Sequence, residues 1–317
     1  MKMEACFSTE TVDLNHQMPN RNQRESKYYW DELYQLIAAA GFTSVEVPYE
    51  PKWDFGGRSG IPRTLRSVTV KYGTMQKYME EIRKNGIEKI SSVHLDPSLF
   101  CQGNLKMYLG AFGHFGEEAI KFAKGAGAET IVLTASPSIY SVRKLMEGSS
   151  HGEEEFLSQT ARVIDSLAEM AGEEGLKLCL KNEYWGLLRG EAVLQFLKQC
   201  RKEIYLDIDT AHLKIAGTDP AKFIAANKEK IGIVHLTDTG FTDDQEAYLQ
   251  PLPEYPAKTA AKVFCDIGKG SVDLPAVLAA LENAGYDKTV IYNCKDSNDV
   301  YRSLLRTRCY IQNKLSE

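Results

Sequence analysis

Charged and polar side chains stand at the carboxyl ends of several apolar, β-rich segments of this sequence. Six segment ends carry such a residue: Glu46, His94, Lys181 or Glu183, Asp209, His235 and Asn293. Carboxylates and imidazoles transfer protons and bind divalent metal ions, and an ammonium group stabilises negative charge. One such residue is usually a hydrogen-bonded part of the core, but six on one rim indicate a functional site.

Two motifs give the most specific pattern. DIDTAH at 207–212 and VHLTD at 234–238 each lie at the end of an apolar β segment. Asp209 and His235, predicted on adjacent strands and pointing inward, offer an oxygen and an imidazole nitrogen to a divalent ion. His212 lies one helical turn beyond Asp209, where it could contact a ligand. The two motifs therefore predict half of a metal site.

Eight β-rich runs must position these residues. They cover 3–8, 43–47, 89–95, 129–134, 176–182, 204–209, 231–236 and 288–293. Apolar residues recur every three or four positions between them, which predicts helices over 28–40, 74–85, 105–125, 153–174, 191–202, 220–230 and 274–284. This alternation predicts an α/β fold, a (β/α)8 TIM barrel of parallel strands. An open doubly wound sheet is the alternative, although no GxGxxG turn follows the first strand to support its dinucleotide-binding form.

Long additional segments follow strands 2, 4 and 7, at 48–71, 135–151 and 237–270. Loops after the strands of a TIM barrel build its active site, so we expect these top-face loops to form walls or lids. Solvated insertions are the alternative. Trp53 and Trp185 lie where aromatic rings either bind sugar faces or pack the loops. Arg58 and Arg63 either bind a phosphate or carboxylate or remain solvated.

The composition fits one globular domain over residues 1–317. The chain has 38 Lys+Arg against 43 Asp+Glu, a formal charge of −5 and 43% hydrophobic residues. It has no apolar run of membrane-helix length and no basic cluster, so we expect neither membrane nor nucleic acid as a partner. Seven scattered cysteines favour a reducing, cytoplasmic location over a disulfide framework. The sequence does not decide between a monomer and a homo-oligomer.

Four segments resemble the xylose isomerase-like TIM barrel superfamily, that is, the sugar phosphate isomerase/epimerase family. They are SVHLDPS at 92–98, LDIDTAHLKIAG at 206–217, IVHLTDTG at 233–240, and 266–293 with its GxGxxD segment and its GYD turn. The resemblance covers the chain from Met3 to about Ile311. It implies a small-molecule sugar or sugar phosphate as substrate. It also implies a divalent metal held by Glu, Asp, His and Glu from strands five to eight, with both Glu in proton transfer.

Two of the four implied ligand positions differ in this chain. Lys181 stands at the first Glu position and Asn293 at the last. In one interpretation Glu183, Asp209, His235 and the Asn293 amide still hold Mn²⁺, Mg²⁺ or Zn²⁺. In the other, the Lys181 ammonium pairs with Asp209 and no metal binds. The first is favoured because Asp209, His212 and His235 remain together. Desolvation lowers the pKa of a lysine, so Lys181 could also act as an acid or base.

Sugar isomerisation or epimerisation, which the resemblance implies, needs a base for the proton next to a carbonyl and a cation at the carbonyl oxygen. Glu183 is the predicted base, and the metal or Lys181 is the predicted electrophile. His212 is predicted to bind hydroxyls or carry protons. The predicted substrate-binding residues are Glu46, His94, Trp53, Trp185 and Asp238.

Three other functions are alternatives to the isomerase or epimerase activity. The missing Glu at position 293 weakens two-base epimerisation, so a lyase or dehydratase acting on a keto-sugar or keto-glycoside is the second enzyme class. A non-catalytic, metal-free sugar-binding barrel is the alternative of another class. The endonuclease IV branch of the superfamily is disfavoured because the net charge is negative, and His16, His114 and His151 lie away from the predicted strand ends.

Overall fold

The apolar, β-branched runs form eight barrel strands. The computed structural model describes residues 3–14, 24–54, 60–101, 103–147, 152–251 and 263–316. The strands are β1 Glu4–Ser8, β2 Ser44–Pro48, β3 Lys89–Leu95, β4 Thr130–Thr134, β5 Lys177–Lys181, β6 Tyr205–Asp209, β7 Ile231–Leu236 and β8 Thr289–Tyr292. All neighbours pair in parallel, and the sheet closes where β1 pairs with both β2 and β8. The predicted (β/α)8 barrel is therefore confirmed.

Helices follow every strand and cover the outside of the barrel. They are α1 Lys27–Ala39, α2 Leu65–Tyr72, α3 Met75–Lys84, α4 Leu105–Ala126, α5 Ile139–Leu145, α6 Gly152–Glu173, α7 Ala192–Leu197, α8 Thr210–Ile215, α9 Pro220–Asn227, α10 Leu274–Asn283 and α11 Val300–Ser316. Helix α7 is shorter than the helix predicted over 191–202, since it covers only Ala192–Leu197. The one over 220–230 ends at Asn227 and continues as a 3-10 turn, Lys228–Lys230. Helices α2, α5, α8 and α11 were not predicted.

The barrel interior has an apolar layer below a charged one. The apolar layer consists of buried side chains from five strands: Cys6, Val132, Cys179, Ile233 and Ile291. Gly232 borders this layer, and a Cβ at that position would collide with Cys179 Sγ and Tyr205 Cβ. A larger apolar core fills the space between strands and helices. The seven cysteines are free thiols.

The long segments after β2, β4 and β7 carry secondary structure of their own. The first holds a 3-10 turn, Pro51–Asp54, together with α2, and the second holds α5. The third forms a two-stranded antiparallel sheet from Asp238–Thr239 and Phe264–Cys265. Arg58, His151 and residues 252–262 lie outside the described residues. Among the described helices, none is long and apolar enough to cross a membrane.

Candidate functional site

The strand-end residues predicted from the sequence lie together at the carboxyl end of the barrel. Strands of a closed parallel barrel all end on one rim, so their terminal side chains share the mouth. All of these side chains are buried, with relative exposures of 6% or less: Glu46, His94, Lys181, Glu183, Asp209, His235 and Asn293. A charged layer buried at this depth needs internal partners for its polar atoms. The partners determine what each residue can do.

His235 lies between two carboxylates. Its Nδ1 is 2.7 Å from Asp207 Oδ1 and its Nε2 is 2.9 Å from Glu46 Oε1. The hydroxyls of Ser8 and Ser92 also donate to Glu46, at 2.9 and 2.8 Å. Burial opposes protonation of the imidazole, but Asp207 and Glu46 raise the pKa of His235 to about 10. His235 is therefore a cation with both nitrogens engaged at neutral pH.

Lys181 forms a buried ion pair with Asp209. Its Nζ is 3.2 Å from Asp209 Oδ2, and both side chains are 2% exposed. Burial favours the neutral amine, but the carboxylates of Asp209 and Glu10 raise the pKa of Lys181 above its ordinary value. The expectation of a lowered pKa for Lys181 was therefore wrong: burial does lower it, but the surrounding negative charge outweighs burial. This raised pKa favours the charged ammonium form of Lys181 over the free amine.

Asp209 is fixed by its backbone as well as its side chain. Its backbone N–H donates to Asn182 Oδ1 at 2.8 Å, and Asn182 Nδ2 donates to its carbonyl at 3.2 Å. Asp209 is also the N-cap of α8 and accepts a hydrogen bond from the backbone N–H of His212. The Thr237 hydroxyl donates to the same carboxylate oxygen. These contacts hold the carboxylate of Asp209 in one orientation.

A second group of charges, Glu10, Glu183 and Lys295, lies beside this pair. Lys295 Nζ is 3.7 Å from Glu183 Oε1, and Asn293 Nδ2 donates to Glu10 Oε2 at 2.6 Å. Burial opposes ionisation of Glu10, but Lys181 and Lys295 lower its pKa below the ordinary value. Sequence reasoning missed Glu10 and Lys295. Both follow strand ends, Glu10 after β1 and Lys295 after β8, and this position was the available signal.

His212 is a neutral imidazole with a defined tautomer. The backbone N–H of Tyr184 donates to its Nδ1 at 3.0 Å, so the ring proton lies on Nε2. Burial lowers the pKa of His212 to about 4. Its ring packs edgewise against Trp185 and Phe264, at centroid distances of 6.3 and 5.2 Å. His212 can therefore offer a neutral N–H donor at pH 7.

His94 is also neutral at physiological pH. Its Nε2 is 3.0 Å from the Thr134 hydroxyl, and its Nδ1 is 3.7 Å from Glu10 Oε1. Burial and the positive charge of Lys181 lower the pKa of His94. The structure thus joins His94 to the same network as Glu10.

Trp53 and Arg63 hold the loop after β2. Trp53 Nε1 donates to Glu50 at 2.9 Å. Arg63 is 3% exposed, and its guanidinium donates to Glu50 and to the backbone oxygen of Thr9. The alternative that Arg63 is solvated was therefore wrong, because its side chain is buried and its hydrogen bonds link two loops. These contacts give Trp53 and Arg63 packing roles, and sugar contact by Trp53 stays a prediction.

Asp238 and Trp185 lie in the loops that cover the mouth. Trp185 is 2% exposed and belongs to an apolar cluster with Tyr184, Ala211, Ala247, Val263 and Phe264. The Asp238 carboxylate accepts backbone hydrogen bonds from Thr239, Gly268, Gly270 and Val272. Asp238 therefore fixes the turn before α10, and substrate contact by either residue stays a prediction.

The implied metal ligands do not fit a divalent-ion site in this arrangement. Both ring nitrogens of His235 contact carboxylates of the chain, Asp207 and Glu46, instead of facing an open position. Asp209 is paired with Lys181, and the Asn293 amide oxygen accepts from the Thr11 hydroxyl at 3.2 Å. Across the described ranges, no three His, Cys, Asp or Glu side chains are grouped so as to hold a metal ion.

Comparisons with known proteins agree with this architecture. A family model described as a xylose isomerase-like TIM barrel matches residues 34–309. An inosose dehydratase from Clostridium botulinum (strain Alaska E43 / Type E3) is 23% identical over 211 residues, which cover 62% of this chain and 68% of that protein.

Solved structures share the fold at low identity. The probable 3-DHS dehydratase AsbF of Bacillus anthracis has a TM-score of 0.70 at 13% identity, covering 98% of this chain and 100% of its own. D-allulose 3-epimerase from Methylomonas sp., in complex with D-allulose, has a TM-score of 0.66 at 13% identity, with coverages of 98% and 97%. The IolI protein with a bound zinc atom has a TM-score of 0.63 at 16% identity, with coverages of 99% and 96%.

Proposed function

We propose that this chain, which belongs to the xylose isomerase-like TIM barrel family, is a sugar or sugar-phosphate isomerase/epimerase. Its reaction begins with removal of a proton from the carbon next to a carbonyl group. Epimerase and dehydratase are the activities stated in the names of similar proteins. Both activities can start with this step, since each needs a carbanion stabilised by a neighbouring carbonyl.

One observation carries the proposal: two buried carboxylates at the barrel mouth, Glu183 and Glu10, both interact with the Lys295 ammonium group. Lys295 Nζ is 3.7 Å from Glu183 Oε1. Burial raises the pKa of Glu10, but the charges of Lys181 and Lys295 lower it below its ordinary value, so Glu10 is ionised. Isomerisation needs a group that removes a proton and one that returns it. Glu10, in the 3-10 turn after β1 and bonded to the Asn293 amide, supplies the second carboxylate where the usual strand-eight position has none.

The residues take the following roles. Glu183 removes the proton, and Glu10 serves as the second acid or base. The ammonium groups of Lys181 and Lys295 stabilise negative charge that develops on the substrate oxygen. His212, neutral and protonated on Nε2, donates to a substrate hydroxyl, because its other nitrogen is already bonded to Tyr184.

A lyase is the second candidate, and the asparagine at position 293 supports it. An asparagine amide does not titrate, so position 293 itself offers no acid or base; its oxygen and nitrogen are bonded to Thr11 and Glu10. β-Elimination needs proton removal on one side of the substrate only. A C=C bond then forms as the C–O bond on the neighbouring carbon breaks, and the hydroxyl leaves as water with the proton that Glu183 removed. This reaction requires Glu183 but not Glu10.

Product analysis by NMR tests the proposal. The purified protein is incubated with a panel of ketoses, ketose phosphates and inososes. An isomer or epimer of one of them supports the first candidate, and an unsaturated ketone supports the lyase. We expect Glu183→Gln to lower the rate by about 10²–10⁴-fold, the usual range for loss of a general base. Glu203→Gln is the control, since Glu203 is exposed and precedes β6 at the opposite end of the barrel.

Two results would argue against this assignment. A folded Glu183→Gln variant with wild-type rate would remove Glu183 from the reaction. Saturable sugar binding without turnover of any compound would favour the non-catalytic sugar-binding barrel.

A further inference from the structure

Lys181 lies where the family resemblance implies a metal ligand. It ends β5 and is in register with Thr134 of β4 and Asp207 of β6. Its ammonium lies 3.2 Å from Asp209 Oδ2, and both side chains are buried. Asp209 is itself one of the implied ligands. A positive group of the chain therefore already occupies one oxygen of this carboxylate.

The other implied donors are held by partners of their own. His235 is bonded to Asp207 and Glu46, at 2.7 and 2.9 Å. The Asn293 amide oxygen accepts from the Thr11 hydroxyl at 3.2 Å. His235 would have to leave one of its carboxylates before a ring nitrogen could reach a divalent ion, whereas the Asn293 oxygen keeps one further lone pair. An ammonium group beside that ion would also repel it, and the repulsion is strong where water is excluded.

We propose that the Lys181 ammonium is the resident cation of this barrel and that the protein works without a divalent metal ion at Asp209. The proposal rests on the proposed function for its catalytic meaning, because the ammonium supplies the positive charge that proton removal next to a carbonyl requires. An ammonium group has three N–H donors, so it can hold Asp209 and a substrate oxygen at the same time.

Metal binding by the purified wild-type protein tests the proposal without knowledge of the substrate. Elemental analysis follows purification without chelator, and calorimetry follows titration with Mn²⁺. We expect less than about 0.1 equivalent of Mn, Zn or Mg and no saturable Mn²⁺ binding below about 1 mM. About one equivalent of copurified metal, or saturable binding at micromolar Mn²⁺, would overturn the proposal.

A pair of variants separates the ammonium from the other changes. Lys181→Glu combined with Asn293→Glu restores both implied carboxylates, whereas Asn293→Glu alone adds one carboxylate and keeps the ammonium. Provided both are folded by circular dichroism, we expect Mn²⁺ to bind the double variant at least about tenfold more tightly than the single one. Equal affinities would contradict the proposal.

If the double variant does not fold, the metal content and Mn²⁺ binding of the wild-type protein are sufficient to test the proposal. Failure of the proposed function would appear differently, as absence of sugar turnover in a protein whose metal content still matches the expectation. The two ideas can therefore fail separately.

Discussion

Replacing His235 by glutamine removes the positive charge between two buried carboxylates of the barrel interior. Glutamine can still donate one hydrogen bond, but Glu46 and Asp207 lose the cation that both contact. Breaking a buried ion pair by removing one partner typically costs about 3–5 kcal/mol, because the remaining charge is uncompensated. We expect a loss of this size in the free energy of unfolding near pH 6.5.

The pH dependence of this loss follows from the pKa of His235. Burial opposes its protonation, but the two carboxylates raise the pKa from 6.5 to about 10. A raised pKa stabilises the folded state fully below the unfolded value, and the stabilisation disappears as pH rises through the folded value. At about 1.36 kcal/mol per pKa unit, this shift corresponds to roughly 5 kcal/mol. The difference between wild type and His235→Gln should therefore fall to about 1 kcal/mol or less at pH 10.

Urea unfolding of both proteins at several pH values between 6.5 and 10 measures this difference. His114→Gln is the control, because the His114 side chain is 64% exposed on α4. Taking the difference between two proteins cancels the other groups that titrate in this range. A difference that stays constant with pH, or that is already below about 1 kcal/mol at pH 6.5, would refute the idea that a protonated His235 holds the two carboxylates.

Two further changes test how the mouth is built. Asn182→Ala removes two buried hydrogen bonds to the backbone of Asp209, so urea unfolding should show a loss of about 2–4 kcal/mol, and a loss below about 0.5 kcal/mol would contradict the role assigned to Asn182. Tyr184→Phe removes the hydroxyl that donates to Asp243 at 3.0 Å. Asp243 also accepts the backbone N–H groups of Ala247 and Tyr248, so hydrogen exchange of these two amides should become several-fold faster, and unchanged protection would argue against this tie.

The fold could be predicted because apolar β-rich runs alternate with long patterns of helical period in this chain. The run at 89–95 coincides with β3, and the run at 105–125 with α4. Helices α5 and α8 have seven and six residues, too few for a helical period to stand out. Helix α8 also begins directly after Asp209, so the sequence there indicates a strand end and a motif before it indicates a helix.

The site could be predicted only in part, because its contacts join distant segments. The strand-end rule identified Lys181, Asp209 and His235. It did not predict that His235 pairs with Glu46, which is 189 positions away in the chain. Asp207 could have been found, since residues two apart on a strand face the same side and Asp209 was already assigned inward. Glu10 lies in a 3-10 turn without a periodic pattern.

Deuterium exchange in D₂O tests most directly whether this mouth removes a proton next to a carbonyl. The protein, treated with EDTA, is incubated with the ketose or inosose panel, and NMR follows the hydrogen on the carbon beside the carbonyl. We expect wild-type protein to replace that hydrogen with deuterium, and Glu183→Gln to do so at about 1% of the rate or less. Absence of exchange with every compound, or exchange that depends on added metal, would contradict the account.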